Sequence, residues 1–304
     1  MHHIFMEYQG IYGNPRITKA LHRLSDPDYH VCEKTVGRYM AEMGLRAVPK
    51  EPYVITTDSN HSLPIYLNLL DRAFNPKIPD RVWVTDITYV WTSEGWLYLA
   101  TVMDLFSRKI IGWNMDKTLT KELCLVALNR ALNARHPSDQ LIHHSDRSSQ
   151  YASNEYIARL EEHYIQISMS RKGNCYDNAC IESFHATIKK ERIYRRRYKT
   201  REEATMDILK FIGFYNERRM HSTLDYRSPN EIESFINVFC KLSLKHPIKQ
   251  LYLEERVVLA REAGLVLFNY WRLGKEAQPA EAPCQVAIIP ANWHNGNEAQ
   301  IVHC

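Results

Sequence analysis

Three acidic residues, Asp86, Asp146 and Glu182, occupy positions from which carboxylates can reach a common point. Asp86 lies inside VTDIT, a strand-forming run where a carboxylate is costly to bury unless something compensates its charge. Asp146 follows LIHHS, at the C-terminal edge of a short apolar strand, and Glu182 lies on a helix. The surrounding stretch Ser168–Arg197, SMSRKGNCYDNACIESFHATIKKERIYRRR, opens with an Arg-Lys-Gly-Asn loop and then turns helical. Lys189 falls two turns after Glu182 on the same helix face, so a carboxylate able to hold a metal stands beside a base able to hold a phosphate. Acids from a strand, a strand end and a helix suit two Mg²⁺ ions about 4 Å apart, which need hard oxygen ligands and open positions for water and phosphate. One ion would activate an attacking water or 3′-hydroxyl and the other would stabilise the leaving oxygen. No side chain need act as a covalent nucleophile. Taken singly, each acid has a plainer explanation as a turn, cap or solvated helix residue. Asp104 in VMDLF matches Asp86 in composition and is read as a supporting residue or as a partner of Arg108.

Charge adds a second line. The 304-residue chain carries a formal +4, but between Arg171 and Arg201 ten bases oppose three acids, a local +7 that leaves the remainder at −3. A basic stripe of this kind suits a polyanion, because neutralised phosphates release counterions. Apolar content of 45% and charged content of 24% are those of an ordinary globular protein. Seven scattered cysteines form no CxxC pair, which reads as reduced thiols in a cytosol, and the 14 histidines form no zinc pattern with them. No apolar run approaches the roughly 18 residues needed to span a bilayer, so a soluble protein without a membrane partner is expected.

The elements that must position the acids follow from periodicity. Ile17–Leu24, with Ile17, Leu21 and Leu24 apolar, and EKTVGRYMAEMG, with Val36, Tyr39, Met40 and Met43 in phase and Gly44 as cap, predict two short helices around a turn. That arrangement is equally compatible with helix-turn-helix DNA binding and with a generic hairpin. Prolines interrupt residues 46–80, which read as a linker holding one short helix, NLLDRAF. VWVTDITYVWT, GWLYLATVMDLF and RKIIGWNM predict an antiparallel meander. A helix over 121–134, with Leu123, Val126, Ala127 and Arg130 on one face, comes next. The strand LIHHS, a helix over 154–163, a strand over 165–169, the Glu182 helix and a helix over 201–215 complete an α/β fold with a mixed sheet.

The words YGNPRI, TDSNHSLP, VWVTDITYV, VMDLFSRKIIGW, HHSDRSSQYAS, SMSRKGNCYDNACIESFHATIKKE and FYNERRMHSTLDYRSPNE occur in that order over about 220 residues. In them the chain resembles the OrfB-type transposases of bacterial insertion sequences, whose core is like that of retroviral integrases. The resemblance implies a ribonuclease H-like mixed five-stranded sheet flanked by helices, preceded by a small helix-turn-helix-like subdomain. It implies domains at 1–45 (helix-turn-helix-like, its start truncated), 46–80 (linker), 81–235 (catalytic core) and 236–304 (an atypical tail). The family's catalytic, metal-binding acids fall on Asp86, Asp146 and Glu182, with 35 residues between the last two. Its base that grips the transposon end falls on Lys189, with Lys190, Arg192, Arg171 and Lys172 as further DNA contacts. Asn178, one turn before Glu182, would orient it or touch DNA. Two Mg²⁺ or Mn²⁺ ions, end cleavage followed by strand transfer, and terminal-repeat and target DNA as partners are implied. So are a homo-multimer on DNA, an upstream-frame OrfA-type partner, and a bacterial cytoplasmic location, at the nucleoid when DNA is bound.

Three departures from the family pattern set further expectations. Ser148 stands where the family has glycine, and would strain the loop beside Asp146 if that position needs positive φ. The chain starts late, near the helix-turn-helix. About 70 residues follow Glu231, read as helical over 249–271 and disordered over the last 30. A catalytically impaired DNA-binding remnant and a ribonuclease H-type nuclease are the alternatives these leave.

Overall fold

The computed structural model describes residues 1–24, 30–47, 63–137, 140–172 and 174–234, together with 265–268, 285–290 and 300–303. The chain divides into two compact units, Met1–Asn230 and Glu231–Cys304. In the first, strands β1 (Val82–Thr92), β2 (Gly95–Asp104) and β3 (Ile110–Asp116) form the expected antiparallel meander, joined by β4 (Ile142–Ser145) and β5 (Gln166–Met169). The sheet order is β3-β2-β1-β4-β5, with β1 pairing antiparallel to β2 and parallel to β4. This is the mixed five-stranded sheet the resemblance implies.

Side chains alternate across a strand, so β1 serves two cores. Val82, Val84 and Val90 face a cluster with Ile181, Phe184 and Ile188 of α6 (Ala179–Glu191) and Ile208, Phe211 and Ile212 of α7 (Arg201–Glu217). Trp83 faces the other way, into a cluster with α4 (Lys121–Arg135) and α5 (Asn154–Glu162). The α4 face needs correcting. Leu123, Cys124, Ala127, Leu128, Ala131 and Leu132 are buried, whereas Val126 is 37% exposed and Arg130 reaches the Trp113 carbonyl and covers its ring. The buried stripe is apolar without Arg130, and the helix lies so close on β3 that a Cβ at Gly112 would meet the Ala127 carbonyl oxygen at 2.3 Å.

Before the sheet come α1 (His2–Glu7), which the sequence reading missed, α2 (Asn14–Leu24) and α3 (Glu33–Glu42). Ile17, Val36 and Met40 are buried between them, Leu24, Tyr39 and Met43 are exposed, and Gly44 ends α3 at φ +67° as its cap. These helices dock on the end of α6. Arg219 forks onto both Glu191 oxygens at 2.8 and 2.6 Å, both residues are nearly fully buried, and the Tyr12 hydroxyl accepts from the Met220 amide at 2.7 Å.

NLLDRAF is not a helix. Asp71 and Arg72 adopt φ of +37° and +64°, which turns residues 68–74 sharply; helix formers yield here to tertiary bonds described below. Residues 48–62 of the expected linker lie outside the described ones.

The second unit holds β6 (Leu265–Phe268), β7 (Gln285–Pro290) and β8 (Gln300–His303), paired antiparallel in the order β6-β7-β8. Residues 265–268 are therefore strand where helix was expected, since a four-residue apolar run carries no period that distinguishes the two. Strands β7 and β8 likewise fall within the final 30 residues, expected to be disordered; the rest of 249–271 lies outside the described residues.

Candidate active site

Two of the three acids are placed by the backbone ladder. Parallel pairing of β1 and β4 runs Val82 with Ile142, Trp83 with His143 and Val84 with His144. Asp86 lies two residues beyond the last of these pairs in β1, and Asp146 two residues beyond it, just past the end of β4. Asp86 is part-buried; its Oδ1 accepts from the Ile87 amide at 2.8 Å and its Oδ2 from His185 Nδ1 at 3.1 Å. With Nδ1–H given to the carboxylate, His185 Nε2 accepts the Thr101 hydroxyl at 2.8 Å. Asp146 Oδ1 accepts from the Ser148 amide at 2.9 Å, an Asx-type turn.

Glu182 is placed by α6. Asn178, His185 and Lys189 fall on the face that carries Glu182, at helical spacing. Asn178 Nδ2 donates to the Thr85 carbonyl at 3.1 Å, and His185 holds the neighbouring Asp86. Glu182 lies between these two anchors. Burial, then the charges of Asp86 and Asp146, push its carboxyl up to about 7, and burial lowers the Lys189 ammonium while Asp86 opposes that shift. The side chains thus share one electrostatic field. Among the described residues, no three His, Cys, Asp or Glu side chains close on a common metal position as they stand. The donor set is nonetheless that of a hard divalent cation, with three carboxylates whose mutual repulsion a cation would relieve. Asn178 Oδ1 and Ser148 Oγ are buried and without a hydrogen-bond partner among the described residues.

The other residues singled out in the sequence are placed as follows. Asn178 is 3% exposed and ties α6 to β1, which fits the orienting role expected of it. Arg192 is 15% exposed, and its guanidinium pairs with Asp207 and Gln9. Arg171 pairs with Asp177 at 2.8 Å and with Asp71 at 3.3 Å; Lys172 is exposed and Lys190 half-buried. Asp104 does not pair with Arg108, whose guanidinium goes to Cys180, Phe74 and Asn75. Asp104 pairs with Trp83 in the ladder and so points to the face opposite Asp86; burial raises its carboxyl to about 7, and the Phe106 and Asp80 amides donate to it. Ser148 is not among the described residues with positive φ, so the expected strain is absent. His185 was missed, although its place one turn after Glu182 was a usable signal. Arg72 was missed too, because nothing local links it to Asp177.

An integrase core is what comparison with known families finds here. Integrase core domain models match residues 76–175 and 163–229, and an HTH-like domain model matches 1–53. The transposase for insertion sequence element IS904 of Lactococcus lactis subsp. lactis (strain IL1403) is 42% identical over 236 residues, 76% of this chain and 91% of that protein. Transposase InsF for insertion sequence IS3A of Escherichia coli (strain K12) is 41% identical over 224 residues, 73% of this chain and 77% of that protein. Among solved structures, the HTLV-2 integrase catalytic core domain in complex with magnesium is similar over 51% of this chain and 97% of that one, at 16% identity and a TM-score of 0.41. The chain belongs to the insertion-sequence transposases with an integrase core.

Proposed function

We propose that this transposase cuts DNA at the ends of its element and joins the freed 3′-hydroxyls to target DNA, with Asp86, Asp146 and Glu182 as the catalytic carboxylates. One observation carries the reading: α6 is hydrogen-bonded over β1 on both sides of Glu182, through Asn178 to Thr85 and through His185 to Asp86. Mg²⁺ or Mn²⁺, when bound by the three acids, supplies activation of the attacking hydroxyl and charge neutralisation on the leaving oxygen. The chain's own residues do the rest. His185 holds Asp86 in place by a hydrogen bond and aims it, and the Ser148 amide does the same for Asp146. Lys189, part-buried beside Asp86, faces the scissile phosphate, and exposed Lys172 follows the backbone away from it. The HTH-like helices take terminal-repeat duplex, and joining two ends brings two or more copies together, with an OrfA-type partner supplying further end recognition. Work on DNA places the protein in the bacterial cytoplasm, at the nucleoid when bound; among the described residues no helix is long and apolar enough to cross a membrane.

The test is cleavage and strand transfer on a duplex carrying the element's terminal repeats, with Glu182→Gln alongside. Activity lost in the variant, with DNA binding and Mn²⁺-free stability retained, is the expected result. A variant that still joins ends overturns the assignment of the three acids.

A further inference from the structure

Residues 67–74 look like linker in the sequence but are built into the core. The Leu69 and Leu70 amides both donate to the Ser168 hydroxyl, at 2.9 and 3.3 Å. With its lone pairs so engaged, Ser168 gives its proton to His144 Nδ1 at 2.8 Å, leaving His144 Nε2–H for Ser170 at 3.1 Å. His144 stands two residues before Asp146. Leu70 is 2% exposed and belongs to the cluster that holds Ile181 of α6, the residue before Glu182.

The same segment reaches the other side of the site. Asp177 lies just before α6, and its side chain is fully buried. Its two oxygens accept five bonds: from Asn68 Nδ2 at 3.0 Å, Arg72 Nε at 3.0 Å, the Arg171 amide at 3.0 Å, and Arg171 Nε and a terminal nitrogen at 2.9 and 2.8 Å. Arg72 also donates to Asn174 Oδ1 at 3.1 Å. These bonds hold the turn at Asp71 and Arg72 in its left-handed conformation; two successive non-glycine residues of that kind persist only where surrounding contacts over-determine them.

We propose that Arg72 and Asp177 are positioning residues: the 67–74 segment is a brace that fixes the start of α6, and through it the direction of Glu182 relative to Asp146. This rests on the reading of Glu182 as a catalytic carboxylate. Neither residue touches the reacting groups. Asp177 gathers the loop into one conformation, Arg72 ties that loop to the brace, and Ser168 ties the brace to the β4 end that carries Asp146. Without Arg72, Asp177 keeps Arg171, so the loop stays folded but loses its attachment to the brace, and Glu182 becomes free to wander by the small distances that matter to chemistry.

The experiment compares Arg72→Ala, Arg72→Lys, Asp177→Asn and Glu182→Gln as full-length proteins. Strand-transfer kcat and KM, the Mn²⁺ concentration for half-maximal activity, and amide hydrogen exchange over residues 171–182 are read for each. For Arg72→Ala we expect kcat to fall about 10- to 100-fold, as when a supporting partner of a metal ligand is removed. KM for DNA should hold within about twofold, the Mn²⁺ requirement should rise, and exchange should quicken in 171–182 alone; Arg72→Lys should restore part of each. Unchanged kcat, Mn²⁺ dependence and exchange in Arg72→Ala, with Glu182→Gln inactive, would sink the brace and leave the assignment of the acids standing. An active Glu182→Gln would remove the premise as well. Should Asp177→Asn not fold, Arg72→Ala decides alone, because its side chain is 45% exposed and leaves the Arg171–Asp177 pair in place.

Discussion

Helix α6 is held at both ends by an arginine-carboxylate clamp, and the two clamps are built differently. At its start, Asp177 is fully buried, but Arg72 and Arg171 are 45% and 48% exposed. At its end, Glu191 and Arg219 are both buried, at 7% and 5%, with Arg16 4.0 Å away and the Arg219 guanidinium over the Tyr215 ring. A buried pair that loses one member strands a charge in low dielectric, whereas a half-exposed guanidinium that is lost is replaced by water. The end that anchors the N-terminal helices is thus built for stability. The end beside Glu182 is built for geometry, with its cations at the surface.

Breaking the buried clamp should have the largest effect. Arg219→Ala leaves Glu191 without its forked partner and should cost about 3–5 kcal/mol in chemical denaturation; a loss below about 1 kcal/mol would erase the contrast between the ends. A pH titration sharpens it. Burial, then Arg219, Arg16 and Arg108, lowers His221 to about 2, and its ring packs edge-on against Tyr215. A histidine depressed in the folded state binds fewer protons there than in the unfolded chain. Its contribution is therefore complete above about pH 6.5 and is lost as pH falls towards the folded value, by up to about 1.4 kcal/mol per pH unit. His221→Phe should flatten that part of the stability curve between pH 6.5 and 4, and an unchanged slope would show that the ring carries no such penalty. Arg72→Ala should be the mildest for folding, below about 1 kcal/mol, despite the fall in kcat expected of it. A thermal shift as large as that of Arg219→Ala would make the brace a stability element instead.

The strands were legible because β-branched and aromatic residues cluster in β1, β2 and β3 with turn residues between them, and local preference agrees with the final structure there. Helix α4 was legible in extent but not in orientation, since Arg130 falls in phase with apolar residues yet lies over Trp113. The brace was not legible at all. NLLDRAF has helix-forming residues and no glycine, and only contacts about 100 positions away in sequence, with Ser168 and Asp177, force its turn. The error over Asp104 and Arg108 has the same root: proximity in sequence suggested a pair, while the strand ladder turned the carboxylate to the opposite face and Arg108 found Cys180. Asp86, Asp146 and Glu182 stood out because motif words surround them; composition did not separate them from other acids.

The shared register of β1 and β4 has a consequence for how this site tolerates change. Asp86 and Asp146 each follow, two residues on, the Val84–His144 pair of two backbones hydrogen-bonded in step, and a backbone ladder does not depend on which side chains it carries. Substitutions along either strand leave that ladder in step, provided the strands persist. A single inserted or deleted residue in β1 would send Asp86 to the wrong side of the sheet. Glu182 is sensitive in both ways, since named side chains hold its helix and an inserted or deleted residue in α6 would turn it about 100° off its face. Substitution threatens Glu182 and, through His185, Asp86, whereas insertion or deletion threatens all three.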